Sequence, residues 1–141
     1  MVFLELSPLK QAIEQLKKSL DYAHSPLAKE NADLFEQFRN SSIQCFEFSY
    51  ELCWKFLKRQ LELHAANPSL IDSLSYNDLI RTGAEAGLIH HPEAWFKYRY
   101  YRNITAHTYN QSKAQEIYEQ LDAFLKDSTA LLAALQKCHP Q

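Results

Sequence analysis

Apolar residues recur every three or four positions from Leu9 through Ile13, Leu16 and Leu20 to Ala23, the mark of one buried helix stripe. Ser7-Pro8 stands just before it, a capping hydroxyl followed by proline at the first helical position. Ser25-Pro26 interrupts the stripe and offers the same device to a following helix. The next pattern predicts a long helix from about Leu34 to His64. At 100° per residue, its apolar side chains, among them Phe48, Leu52, Cys45, Phe46, Leu57 and Trp54, sweep an arc of about 240°. Glu47, Lys58, Glu51, Gln44 and Lys55 fill the remainder. An arc that wide belongs either to a helix central in its own bundle or to one that also meets a second subunit, and the pattern favours neither.

Asn67-Pro68 ends that run. A third helix is predicted from about Tyr76 to Ala86, with Gly87 as the residue that stops it. Pro92 opens a fourth, from Glu93 to about Asn103. Ser112 and Gln115 have capping-box spacing for a fifth, whose stripe of Ile117, Leu121, Phe124, Leu131 and Leu135 continues to about Lys137. Together these elements predict a single all-α domain over residues 1–141, an antiparallel up-and-down helical bundle of four main helices plus a shorter one.

Composition removes several alternatives. Only two residues in 141 are glycine, against an average usage of roughly 7%. Gly83 and Gly87 cannot build a P-loop or a dinucleotide-binding turn, both of which need glycine for positive φ and close backbone approach. A net charge of −2 leaves no global attraction for nucleic acid, so any such contact rests on a local patch. Cys45, Cys53 and Cys138 form no C-x-x-C pair, which favours a reducing compartment. The N-terminus has no basic region followed by a long apolar stretch, and no apolar run approaches the ~18 residues of a membrane span. The expectation is a cytoplasmic protein with no membrane contact. Six histidines include no H-E-x-x-H, so neither a metal nor another cofactor is expected. His90 and His91 fall in the turn before Pro92, where they cap or face solvent. Glu47 and Glu51 read as a solvated face, with Glu51 paired to Lys55 in the favourable order.

The segment from Trp95 to Tyr109 is different. Lys97, Arg99 and Arg102 stand with no acid between Glu93 and Glu116, interleaved with Tyr98, Tyr100 and Tyr101. Cations hold phosphates and aromatic faces stack on unpaired bases, so this is a candidate single-stranded RNA surface; the plain reading is that Trp95, Tyr98 and Tyr101 are core, and both can hold. Within it lie Arg102 and His107. Five residues apart on a straight helix they diverge by about 140°, so they share a face only if the helix ends between them or two subunits bring their copies together. An Arg beside a His suits RNA cleavage through the 2′-hydroxyl, the His moving the proton and the Arg holding the phosphate.

Arg39-Asn-Ser-Ser-Ile-Gln-Cys-Phe-Glu-Phe-Ser-Tyr-Glu-Leu-Cys-Trp-Lys55 resembles the long-helix signature of the HEPN superfamily, in the branch of nucleotidyltransferase substrate-binding proteins. Gly87-Leu-Ile, Trp95 and Arg102-Asn-x-x-x-His107-x-Tyr109 are similar to that branch in order and spacing, and the resemblance covers roughly residues 5–137. It implies a two-fold homodimer, working beside a minimal nucleotidyltransferase in a toxin–antitoxin-like module. It implies metal-independent RNA cleavage by Arg102 and His107, with Asn103 orienting the backbone or substrate. It also implies Tyr109 as a residue to which the nucleotidyltransferase adds AMP. The competing implication is a non-catalytic subunit that binds nucleotide or substrate for its partner.

Overall fold

The computed structural model describes residues 3–140; Met1, Val2 and Gln141 lie outside the described residues. It contains α1 (Ser7–Ala23), α2 (Pro26–Glu30), α3 (Ala32–His64), α4 (Pro68–Asp72), α5 (Tyr76–Glu85) and α6 (Pro92–Ile104). A 3₁₀ turn (Thr105–His107) follows, then α7 (Gln111–Tyr118) and α8 (Leu121–Cys138). The four long helices α1, α3, α6 and α8 run up and down in that order. Ser19 of α1 bonds Ser41 of α3 at 2.9 Å, while Pro8 lies beside Leu52 and Phe56, so these two are antiparallel. No helix among the described residues is long and apolar enough to cross a membrane.

α3 packs against every other helix and is the central helix of its own bundle. Ile43, Phe46, Tyr50, Cys53, Leu57 and Leu61 form its buried stripe. The other flank of the arc stays uncovered, and Phe48 is 62% exposed.

At the middle of the core Phe124, from α8, is fully buried. Its ring meets Phe46 at 4.9 Å, Tyr98 at 5.1 Å and Trp95 at 5.9 Å, all edge to face, the arrangement that the aromatic quadrupole favours. One cluster thus joins α3, α6 and α8. Gly83 lets α5 approach α3: a Cβ there would stand 3.0 Å from Leu57 Cδ1 and Ile89 Cγ1. Gly87 takes φ +79° in a Schellman cap, with Leu88 N–H donating to Gly83 O and Gly87 N–H to Ala84 O.

Several expected ends move. α1 begins at Ser7 itself, whose hydroxyl donates to Glu5 at 2.5 Å rather than capping the helix. Ser25 does cap, but what it opens is the separate five-residue α2. Asn31 caps α3, which begins at Ala32, two residues before the expected start. Asn110, not Ser112, caps α7, its side chain accepting the N–H groups of Ser112 and Lys113. The expected fifth helix is two helices, because Gln120 N–H tightens to Ile117 O and bends the chain.

Candidate functional site

Trp95, Tyr98 and Arg102 lie three and four residues apart, on one face of α6. The first two enter the core. Burial, together with the Asp127 carboxylate that its hydroxyl meets at 2.5 Å, pushes the Tyr98 phenol far above its usual range. Arg102, the next inward position, reaches α3 where Glu47 and Glu51 stand one turn apart. Its Nη1 is 3.6 Å from Glu47 Oε2, and its Nε is 3.5 Å from Glu51 Oε1. The second oxygen of Glu51 accepts the Trp54 indole N–H at 3.2 Å. This corrects the expected Glu51–Lys55 pair; Lys55 sits over the Trp54 ring instead. About a third of each of the three charged side chains stays open to solvent, with exposures of 34%, 35% and 35%. Pairs this exposed add about 0–1 kcal/mol. What they do here is aim the guanidinium.

The α-helix ends between Arg102 and His107. Thr105 is buried, and its hydroxyl donates to Arg102 O at 2.7 Å while accepting from Arg102 Nη1 at 3.1 Å. Its backbone N–H closes onto the same carbonyl. That i to i+3 closure converts the chain to 3₁₀ geometry, so one residue both stops the helix and holds the arginine.

His107 ends the 3₁₀ turn with its side chain exposed. Tyr109 follows, 82% exposed, its ring 6.1 Å from the imidazole. Both stand on a short link held at each end: Asn110 N–H donates to His107 O at 3.0 Å, and Arg39 grips α7. Arg39 is buried on α3 and donates to the side-chain oxygens of Gln111 and Gln115. Within one chain no hydrogen bond or ion pair joins Arg102 to His107; Arg102 keeps company with Glu47, Glu51 and Thr105, and His107 with Tyr109.

Asn103 is exposed beside Arg102. Lys97 and Arg99, two positions apart, point about 160° away from each other on α6. Lys97 faces solvent. Arg99 lies over the Tyr76 ring, 4.8 Å from its centroid. Trp95 and Tyr98 are sealed in the core, which leaves half-exposed Tyr100 and the partly buried Tyr101 as the stacking faces of this segment. Between α3, α5 and α6 lies a cleft of about 320 Å³, lined in part by Tyr50, Trp54, Tyr76, Arg99, Arg102 and Asn103. Glu47, Glu51, Trp54, Thr105 and Arg39 were not singled out as site residues from the sequence. All but Thr105 do fall in the Arg39–Lys55 segment that carries the long-helix resemblance, and the two glutamates stand at i, i+4 spacing.

An all-helical bundle carrying Arg102-Asn103-x-x-x-His107 where α6 gives way to a 3₁₀ turn is a HEPN-type domain. The chain belongs to the nucleotidyltransferase substrate binding protein like family, whose model matches residues 4–137. It is 45% identical over 96 residues to a probable ribonuclease HepT of Haemophilus influenzae, a match that covers 68% of this chain and 66% of that one, just under two thirds of the relative's length. A solved Haemophilus influenzae structure, described as the fold of a substrate binding domain of a nucleotidyltransferase, superposes with a TM-score of 0.89 at 35% identity, over 94% of this chain and 99% of the other. A Thermus thermophilus structure superposes with a TM-score of 0.70 at 25% identity, covering 91% and 98%.

Proposed function

We propose that this protein is the HEPN subunit of a two-component module, a latent metal-independent endoribonuclease held in check by a minimal nucleotidyltransferase. The observation that carries this reading is a clamped, part-exposed Arg102 with an exposed His107 immediately beyond the helix end. The ribonuclease name of the Haemophilus relative supports it. In the reaction the 2′-oxygen attacks its own phosphorus and the P–O5′ bond breaks. His107 moves the proton, Arg102 neutralises the charge gathering on the phosphate, and Asn103 orients the substrate. Labelled single-stranded RNA, incubated with the protein in excess chelator, tests it: cleavage is expected from the native chain and not from His107→Ala. A non-catalytic, substrate-presenting subunit is the second reading. The two carboxylates on Arg102 favour it, because they weaken its pull on a phosphate, and intact RNA in the same assay would establish it.

The working form in this reading is a two-fold dimer. Phe48, exposed, and Leu52, partly buried, lie about 100° round α3 from Glu47 and Glu51, so the uncovered apolar surface borders the Arg102 clamp. A second copy docked there brings the two motifs close and supplies both a proton acceptor and a proton donor. Sedimentation at micromolar concentration should show a dimer that Phe48→Asp dissociates; a native chain that stays monomeric would refute this assembly.

Tyr109 is the modification site in the same reading. Its exposure leaves the phenol open to an approaching nucleotide, whose α-phosphate it attacks with release of pyrophosphate. Incubation with the cognate nucleotidyltransferase, ATP and magnesium should add one AMP mass to the native chain and none to Tyr109→Phe. RNA cleavage should fall with the extent of modification, because the added phosphate competes for Arg102.

A further inference from the structure

We infer that the cleft between α3, α5 and α6 takes one nucleotide unit, its base against Trp54 and Tyr76 and its phosphate on Arg99. Only the placement of that unit next to the scissile phosphate rests on the ribonuclease reading; the cleft's affinity for a nucleotide stands apart from it.

The cleft's size comes first. At about 320 Å³ it lies at the lower end of the roughly 300–1,000 Å³ of small-ligand sites, room for one nucleotide rather than a run of them. Its walls are mainly aromatic and aliphatic, and the one carboxylate among them, Glu51, is turned to Arg102 and the Trp54 indole. Tyr76 donates its hydroxyl to Trp95 O at 3.2 Å. Burial pushes the Tyr50 phenol up to about 12 and the Tyr76 phenol higher still, so neither ring gains charge even in the alkaline range where a free phenol ionises. A π-face without charge is what a base of any identity stacks on.

The rim is cationic, and its cations are not equal. Lys58 is engaged by Asp72 at 2.7 Å. Arg102 is shared by Glu47 and Glu51. Arg99 has no carboxylate partner among the described residues. Its guanidinium carbon lies over the Tyr76 ring, 4.8 Å from the centroid, and no hydrogen bond among the described residues takes up its N–H groups. A stacked arginine with free donors suits a phosphate, because it binds two oxygens at once. Arg102 and Asn103 share the same lining, so the cleft opens directly onto the proposed cleavage site.

The test uses the full chain carrying His107→Ala, so that binding is read whether or not the native protein cleaves RNA. The probes are AMP and a short single-stranded RNA with one 2-aminopurine. The expected results are quenching of the 2-aminopurine on binding, lost in Trp54→Leu, and binding about tenfold weaker in Arg99→Met, with the salt slope reduced by about 1. Arg99→Lys should recover part of the affinity, as a packing role alone would not require. AMP bound as tightly as RNA, with the same Arg99 dependence, identifies a free nucleotide as the ligand; binding by RNA alone identifies a unit of the chain. Unchanged RNA affinity and quenching in both Trp54→Leu and Arg99→Met would overturn the assignment, even if native protein cleaves RNA efficiently. Native protein that leaves RNA intact, with these binding effects unchanged, would instead remove the ribonuclease reading and leave the cleft assignment standing.

Discussion

RNA cleavage by the His107→Ala chain is expected to fall by about 10²–10⁴-fold, the usual contribution of a positioned general acid or base. The fold should be indifferent to the change. The His107 side chain is exposed, and its one described side-chain contact is the edge-on ring of Tyr109 at 6.1 Å. An exposed substitution with so few contacts shifts stability by no more than about 0.5 kcal/mol. Melting temperature and cleavage rate, measured on the same preparation, should therefore separate cleanly. Arg102→Ala should also abolish cleavage, but it leaves Glu47 and Glu51 facing each other without their cation and should lower the melting temperature as well. A His107→Ala chain that cleaves at the native rate removes His107 from the chemistry, and a contaminating nuclease becomes the explanation of any activity.

Phe124→Ala is expected to destabilise the fold by about 3–5 kcal/mol, the range for deleting a buried aromatic ring. The ring is fully buried and joins Phe46, Trp95 and Tyr98, so three helices lose their shared contact at once. Most domains hold only about 5–15 kcal/mol in total, so this one change removes a large share of stability. Denaturant titration should show the midpoint falling steeply, with cleavage lost at temperatures where the native chain still works. Phe48→Ala is the control. That ring is 62% exposed, so its removal should leave the stability of the monomer nearly unchanged while weakening self-association. Equal losses from the two variants would mean that Phe124 does not anchor the core as described.

Much of the bundle was legible because helices announce themselves locally. Proline at Pro8, Pro26, Pro68 and Pro92, and glycine at Gly87, act through their own backbone, so the breaks they mark needed no tertiary information. The bend at Gln120 was invisible for the converse reason. Ala114, Ile117, Leu121 and Phe124 keep three-four spacing straight through it, and neither proline nor glycine sits there. The caps at Asn31 and Asn110 lay within three residues of the expected starts.

The sequence alone determined the all-helical class, the long central helix and the position of the Arg102–His107 motif, because apolar periodicity and chain breakers are properties of neighbours in the chain. Only the tertiary structure decided what the motif's arginine touches. Glu47 and Glu51 are separated from Arg102 by about fifty residues of sequence, and an i, i+4 rule applied along α3 assigns Glu51 to Lys55. Packing of α6 against α3 through Trp95, Tyr98 and Phe124 sets the height at which Arg102 arrives, and that height places it between two carboxylates. Helix geometry alone sets Lys97 and Arg99 about 160° apart; the packing decided which neighbour each meets and set Arg99 on Tyr76, because a helix in contact with a core has one fixed rotation about its axis.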